Sequence, residues 1–182
     1  MTQFTIHDVE SAPQQSKALL QKSLDGFGMI PNLHGVMAEA PGLLEGYQVL
    51  HGLFANSSFN AEELTVVWQS INVEHECHYC VPAHTGIAKS MKVDDAITDA
   101  LRNETPLADA KLEALRTMTL AVVRQRGAVE KEQVEAFFSA GYEQRQLLEI
   151  ILGCAQKVMS NYVNHIAETP VDEPFKAFAW SK

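Results

Sequence analysis

The chain has 182 residues, 46% of them hydrophobic, and a formal net charge of −9. That length and apolar content suit a sizeable core and argue against disorder, so one domain over residues 1–182 is expected. The acidic balance, with no offsetting run of Lys or Arg, excludes nucleic acid and anionic membranes as favoured partners, and no apolar run approaches the roughly 20 residues needed to span a bilayer.

Met1 to Glu10 carries no basic flank followed by an apolar stretch, so it does not read as a secretory signal, and the expected compartment is the cytoplasm. Val, Ile and Thr never alternate with polar residues long enough to build a sheet, so the expected class is all-α. A first helix is expected over Pro13 to Leu24 with Ser11 as its cap, broken by Gly26, Gly28 and Pro31. A short helix follows from Asn32 to Glu39. Pro41 then starts another to about Ala55, whose apolar face is Leu43, Leu44, Tyr47, Leu50 and Phe54. The next start is Asn60, with Glu62 and Glu63 in the first turn, where the helix dipole favours acid, and a buried stripe of Leu64, Val66, Val67 and Ile71.

The segment from Glu74 to Met91 holds two of the three cysteines. Asp94 and Asp95 open a short helix ending near Arg102, and Pro106 marks a linker. Ala108 to Arg126 is amphipathic and stopped by Gly127, and Glu130 to Ala140 is stopped by Gly141. A long helix runs from about Tyr142 to Ile166, and Pro170 and Pro174 mark the tail.

The chemistry concentrates in Cys77-His78-Tyr79-Cys80-Val81-Pro82-Ala83-His84. A helix beginning near Cys77 would hold Pro82 in or near its first turn, where a missing N–H costs least. Cys77 and Cys80 are then i, i+3 and Cys80 and His84 are i, i+4, so all three share a face. The reactive species of cysteine is the thiolate, favoured near a helix N-terminus and beside a histidine that takes its proton. His84 is therefore the candidate base for Cys80, and the close pair can form a disulfide once one sulfur is oxidised. His78 and Tyr79 are candidates for gating or proton shuttling. His75, Cys77, His78, Cys80 and His84 also form a soft ligand set for zinc, although structural zinc usually draws on two separated pairs and no second Cys/His pair exists. Cys154, among Ile150, Ile151 and Leu152, reads as core. His34 and His51 have no partner at useful spacing and read as surface or satisfied histidines. Asn161, Tyr162, Asn164 and His165 form a late polar cluster that either lines the site or is merely solvated.

These residues resemble the Cys-x-x-Cys-x-x-x-His motif of the alkyl hydroperoxidase D group, within the carboxymuconolactone decarboxylase-like superfamily. Gly28-Met29-Ile30-Pro31-Asn32-Leu33 is similar to the opening segment of many such proteins, and Ser160 to Ala167 to their closing segment, which points toward the peroxidase-related subgroup. The resemblance implies an all-α, alkyl hydroperoxidase D-like helical bundle in a homo-oligomer, and thiol-dependent peroxide reduction with no cofactor and no metal. It implies that Cys80 meets the hydroperoxide substrate, that Cys77 resolves the sulfenate, and that His84 belongs to the proton relay. A dithiol protein or small thiol then re-reduces the pair. Decarboxylase activity is not implied, because the decarboxylases of the superfamily lack the pair. Members usually carry a glutamate twelve residues before the first cysteine, where this chain has Thr65. The relay is therefore either rebuilt around Glu74 or incomplete, and His78, Tyr79 and His165 are further relay or lining candidates. Besides an enzyme, the same cysteines fit a redox- or metal-responsive binding protein without turnover, or a helical oligomer whose pair is vestigial.

Overall fold

The computed structural model describes residues 4–182; the first three positions of the Met1–Glu10 segment lie outside the described residues. The described chain folds into helices α1 Lys17–Phe27, α2 Asn32–Met37, α3 Pro41–Ala55, α4 Ala61–Glu74, α5 Cys80–Ser90, α6 Asp95–Arg102, α7 Ala110–Arg124, α8 Lys131–Ser139 and α9 Gln144–Ala167. Short 3-10 turns precede α1 at Gln14–Ser16 and close the chain at Glu173–Phe178, and no strand occurs among the described residues. No helix is long and apolar enough to cross a membrane.

The helix ends follow local chemistry. At the start of α4 the Asn60 side chain accepts from the Glu63 N–H, and the Glu63 carboxylate accepts from the Asn60 N–H, a reciprocal cap. Asp94 and Asp109 cap α6 and α7 with their carboxylates. The first helix differs from expectation. Ser11 does not cap it; Ser11 exchanges hydrogen bonds with Asp8 in a preceding turn. Nor does Gly26 break it: α1 continues to Phe27 and stops at Gly28, whose φ of 71° places it in the left-handed region that glycine occupies without strain.

The core is organised around α4. Every residue from Glu63 to Val73 is buried, not only the expected stripe. A helix enclosed on all sides is central, and α4 packs against α5, α6, α7 and α9. Phe54, Trp68, Ile71, Leu115 and Ile150 fill one apolar cluster, and Leu20, Met37, Leu44, Tyr47 and the two motif cysteines fill a second. Among the polar residues that α4 carries into this interior, the amides Gln69 and Asn72 find partners there.

The tail is part of the fold rather than loose chain. Its 3-10 turn packs on α5, where Gly86 leaves room for the Phe175 ring: a Cβ there would lie 2.7 Å from it. Arg102 donates to the carbonyls of Phe178 and Ala179, and Tyr79 donates to the Asp172 carboxylate.

Helices α3 and α9 pack closely. A Cβ at Gly153 would meet the fully buried Phe54 ring at 2.7 Å. Gly153→Ala gains about 1 kcal/mol of helix propensity but forces overpacking that costs about 1–3 kcal/mol. The expected result is a lower denaturant midpoint, and a midpoint equal to or above the unaltered chain would contradict this packing.

Candidate active site

The Cys-x-x-Cys segment straddles a break rather than lying wholly on a helix. Glu76 has φ 53°, which ends the run from α4, and the Cys77 N–H donates back to the Asn72 carbonyl at 2.9 Å. Helix α5 begins at Cys80, not near Cys77, and the Cys80 N–H donates to Cys77 Sγ at 3.2 Å. Cys77 thus occupies a capping place beyond the first turn of α5, and Pro82 still falls within that turn, as its missing N–H requires. Both cysteines are buried free thiols.

Helix α9 supplies what surrounds them. Gln156, Lys157, Ser160, Asn161 and Asn164 recur at helical spacing and are all at most 1% exposed. Asn164 Nδ2 donates to Cys80 Sγ at 3.2 Å. Lys157 Nζ lies 2.9 Å from His84 Nε2. Burial alone would push the Cys80 thiol up. The Cys77 thiol, the Lys157 ammonium and the Asn164 and Asn161 amides outweigh it and hold Cys80 below the ordinary thiol range. Cys77 is pushed the other way, by its hydrogen bond to Cys80 and by burial. Of the two, Cys80 is the one favoured as thiolate and Cys77 the one favoured as thiol. Burial also lowers Lys157, and the two sulfurs pull it back up, so ammonium and thiolate stabilise each other.

An amide chain locks this arrangement to α4. Asn161 donates to Asn72 at 3.1 Å, Asn72 donates to Gln69 at 3.0 Å, and Gln69 donates to Thr85 and to the Val81 carbonyl at 3.1 Å. Arg102 donates to Thr85 at 2.9 Å, which carries the network to the tail.

Cys80, but not Cys77, lines a cavity of about 460 Å³ together with His34, His51, Tyr47, His84 and Lys157. His34 and His51, expected to be surface or merely satisfied, are cavity walls. Burial holds both well down, to about 4, aided by their mutual charge at His34 and by Lys157 at His51. His84 is likewise driven well below its ordinary value, first by burial and then by Lys157 and His51, so it is neutral.

The other sequence candidates fall in different places. His84 meets Lys157 rather than Cys80, so the direct His84–Cys80 pairing is not made. Glu74 does not line the cavity: Arg124 grips both its carboxylate oxygens at 2.8 and 2.7 Å and lowers its pKa, which removes it as a substitute for the carboxylate absent at Thr65. The Thr65 hydroxyl is spent on the Ala61 carbonyl. His78 is exposed, and His165 bonds the His75 carbonyl at the surface, so neither reaches the sulfurs. Tyr79 does line the cavity, but its hydroxyl is held by Asp172 and the Leu33 N–H. His75 bonds Asn161, and among the described residues no group of three or more His, Cys, Asp or Glu is arranged to hold a metal. Lys157 was missed. Its signal in the sequence was a polar stripe at 156, 157, 160, 161 and 164 within an otherwise apolar helix.

No protein-family model matches the chain, and no curated protein matches it. Solved structures do. An uncharacterized peroxidase-related protein from Ralstonia eutropha with an alkylhydroperoxidase AhpD core superposes with a TM-score of 0.84 at 17% identity, over 95% of this chain and 93% of that one. An uncharacterized peroxidase-related protein from Silicibacter gives 0.78 at 18% identity, over 96% and 97%. The debrominase Bmp8 in complex with 2,3,4-tribromopyrrole gives 0.79 at 17% identity, over 97% and 95%. The chain therefore has the alkyl hydroperoxidase D fold.

Two outcomes test the electrostatics. Lys157→Met removes the cation beside Cys80, and each unit of pKa gained lowers the thiolate fraction about tenfold below the pKa. Alkylation of Cys80 at neutral pH should slow at least about tenfold, and His84→Gln should slow it less; the reverse order would restore His84 as the main activator. Stability should also depend on acid. The folded values of about 4 for His34 and His51 lie below the ordinary 6.5, so the unfolded chain takes up protons that the folded one refuses. Folding stability is thus full above pH 6.5 and falls toward pH 4, and a His34→Phe/His51→Phe double variant should flatten that fall in denaturant titrations.

Proposed function

We propose that this chain, which shares the alkyl hydroperoxidase D fold, is a thiol-dependent peroxidase. The observation that carries the proposal is a cavity-lining Cys80 whose thiol is held low by the Cys77 hydrogen bond behind it and then by buried Lys157. Cys80 attacks the distal peroxide oxygen. The O–O bond breaks, an S–O bond forms, and the departing alkoxide takes a proton from Lys157 to leave as the alcohol. Cys77 then attacks the sulfur of the Cys80 sulfenic acid. The S–S bond forms, and the hydroxyl leaves with the Cys77 proton as water. A dithiol protein or small thiol reduces the disulfide, which returns a proton to Lys157 and the thiolate to Cys80. Lys157 does the work otherwise expected of a carboxylate–histidine relay, and neutral His84 orients its ammonium.

The debrominase among the structural neighbours supports a second reading, favoured by the aromatic walls of the cavity. The same dithiol would supply the two electrons that replace a ring bromine with hydrogen, releasing bromide as the pair closes. Bromide release from a brominated aromatic distinguishes it from peroxide consumption.

A homo-oligomer completes the proposal. Exposed Leu148, Ile151, Tyr162 and Ile166 run along α9, and exposed Val49 and Leu53 lie on α3, which packs beside it. A second copy would cover this apolar stripe. Light scattering at micromolar concentration should show more than one chain, and a monomer would remove this part of the proposal.

The chemistry is tested by turnover with an organic hydroperoxide and a dithiol. Cys80→Ser should abolish consumption. Cys77→Ser should consume one equivalent and stop at a sulfenic acid that dimedone traps. Full turnover in Cys80→Ser would end the proposal.

A further inference from the structure

The cavity is much larger than peroxide chemistry needs. A water occupies about 30 Å³ of liquid, whereas about 460 Å³ lies open beside Cys80. That volume is in the range of sites for whole small molecules, about 300–1,000 Å³.

Aromatic rings run along its wall, with buried Trp68 packed behind His51 and His84, in a continuous series. Phe27 meets His34 edge-on at 5.8 Å, His34 meets Tyr47 edge-on at 5.5 Å, and Tyr47 stacks with His51 at 6.1 Å. His51 stacks on Trp68 at 5.7 Å, and Trp68 meets His84 at 4.9 Å. The series runs from Phe27, which is 56% exposed, to the helix turn that carries Cys80. Ring edges and faces of this kind favour a flat aromatic guest.

The polar groups among these rings follow from hydrogen-bond accounting. With the Ser23 hydroxyl donating to the Leu19 carbonyl and accepting from Gln48, we assign the proton of the 2.8 Å contact between Ser23 and His34 to His34 Nδ1. His34 Nε2 is then a free acceptor. Gln156 Oε1 accepts from Trp68, so its amide N–H donates to His51 Nδ1 at 3.2 Å. His51 Nε2 then carries the proton and is a free donor. Gln48 Oε1 is a buried acceptor without a partner, and Gln48 also lines the cavity. No carboxylate lines the cavity, whereas Lys22 and Lys157 do, so a cationic guest is disfavoured.

We infer that the cavity binds a neutral aromatic alcohol, a phenol, whose ring lies along the His34–Tyr47–His51 wall and whose hydroxyl donates to His34 and accepts from His51. The inference rests on the reading of this cavity as the substrate site, but it needs neither peroxide nor reductant. A substrate would then carry this phenolic part together with the group that Cys80 attacks.

Calorimetry on the full chain tests it with three probes of nearly one size. p-Cresol has the ring and the hydroxyl, toluene lacks the hydroxyl, and 4-methylcyclohexanol lacks the ring. p-Cresol should bind at least about tenfold more tightly than either, a difference of about 1.4 kcal/mol. His34→Phe keeps the ring series and removes the acceptor, so p-cresol should lose its advantage over toluene. If that variant fails to fold, the probe series on the unaltered chain decides alone. Equal binding of p-cresol and toluene, equal binding of p-cresol and 4-methylcyclohexanol, or no binding of p-cresol overturns the inference. Peroxide turnover without selective p-cresol binding overturns the inference and leaves the peroxidase standing. Selective binding without turnover does the opposite.

Discussion

The structure turns on one buried charge. Lys157 is 1% exposed, and an isolated ammonium in such a place would be very costly. It is tolerated because the Cys80 thiolate shares its environment and His84 Nε2 accepts from it. The cost of burying the cation and the reactivity of the sulfur are thus one physical fact. A neutral imidazole at His84 is required by the same arrangement, since a second cation beside Lys157 would have no compensating anion.

Holding that pair in register is the task of the amides. Asn72 and Gln69 come from α4 and Asn161 and Asn164 from α9, and their hydrogen bonds tie both helices to the start of α5. Such a network is stabilising when its members are satisfied and costly when one is lost. It also accounts for polar residues on a helix that is buried on every side. The tail extends the same logic: Arg102 joins Thr85 to the backbone of the final 3-10 turn, and Asp172 holds Tyr79 inside the cysteine motif. The motif is therefore clamped from the core on one side and from the tail on the other.

The division of labour proposed for the sulfurs also comes from position. Cys77 lies behind, buried and bonded to the Cys80 N–H, whereas Cys80 opens on the cavity. An incoming electrophile meets only one of them. The other is held at the distance of a neighbour in a turn, which suits it to close a disulfide afterwards.

Much of this was legible in the sequence where the cause was local. The Asn60–Glu63 cap, the start at Pro41, the stops at Gly127 and Gly141 and the first-turn place of Pro82 depend on residues within a few positions of one another, and the helices follow them. The Cys-x-x-Cys-x-x-x-His spacing likewise marked the pair of cysteines that the fold brings together and, through its resemblance, the fold. What depended on residues far apart in the chain was not legible. Spacing assigned His84 to Cys80, and the resemblance offered Glu74 in place of the carboxylate absent at Thr65, but the side chains that reach the sulfur and the groups that occupy Glu74 and His84 come from α7 and α9. His34 and His51 had no hydrogen-bond partners in sequence because those partners, Ser23 and Gln156, meet them only when α1, α2, α3 and α9 close around the cavity. The sequence by itself determined the helices and the pair of thiols, because hydrogen-bond caps and periodicity act over a turn or two. Only the tertiary structure decided which groups surround each sulfur and in which direction they bias it, because electrostatic pairing in a low-dielectric interior is set by distance in space and by burial, neither of which a linear spacing contains.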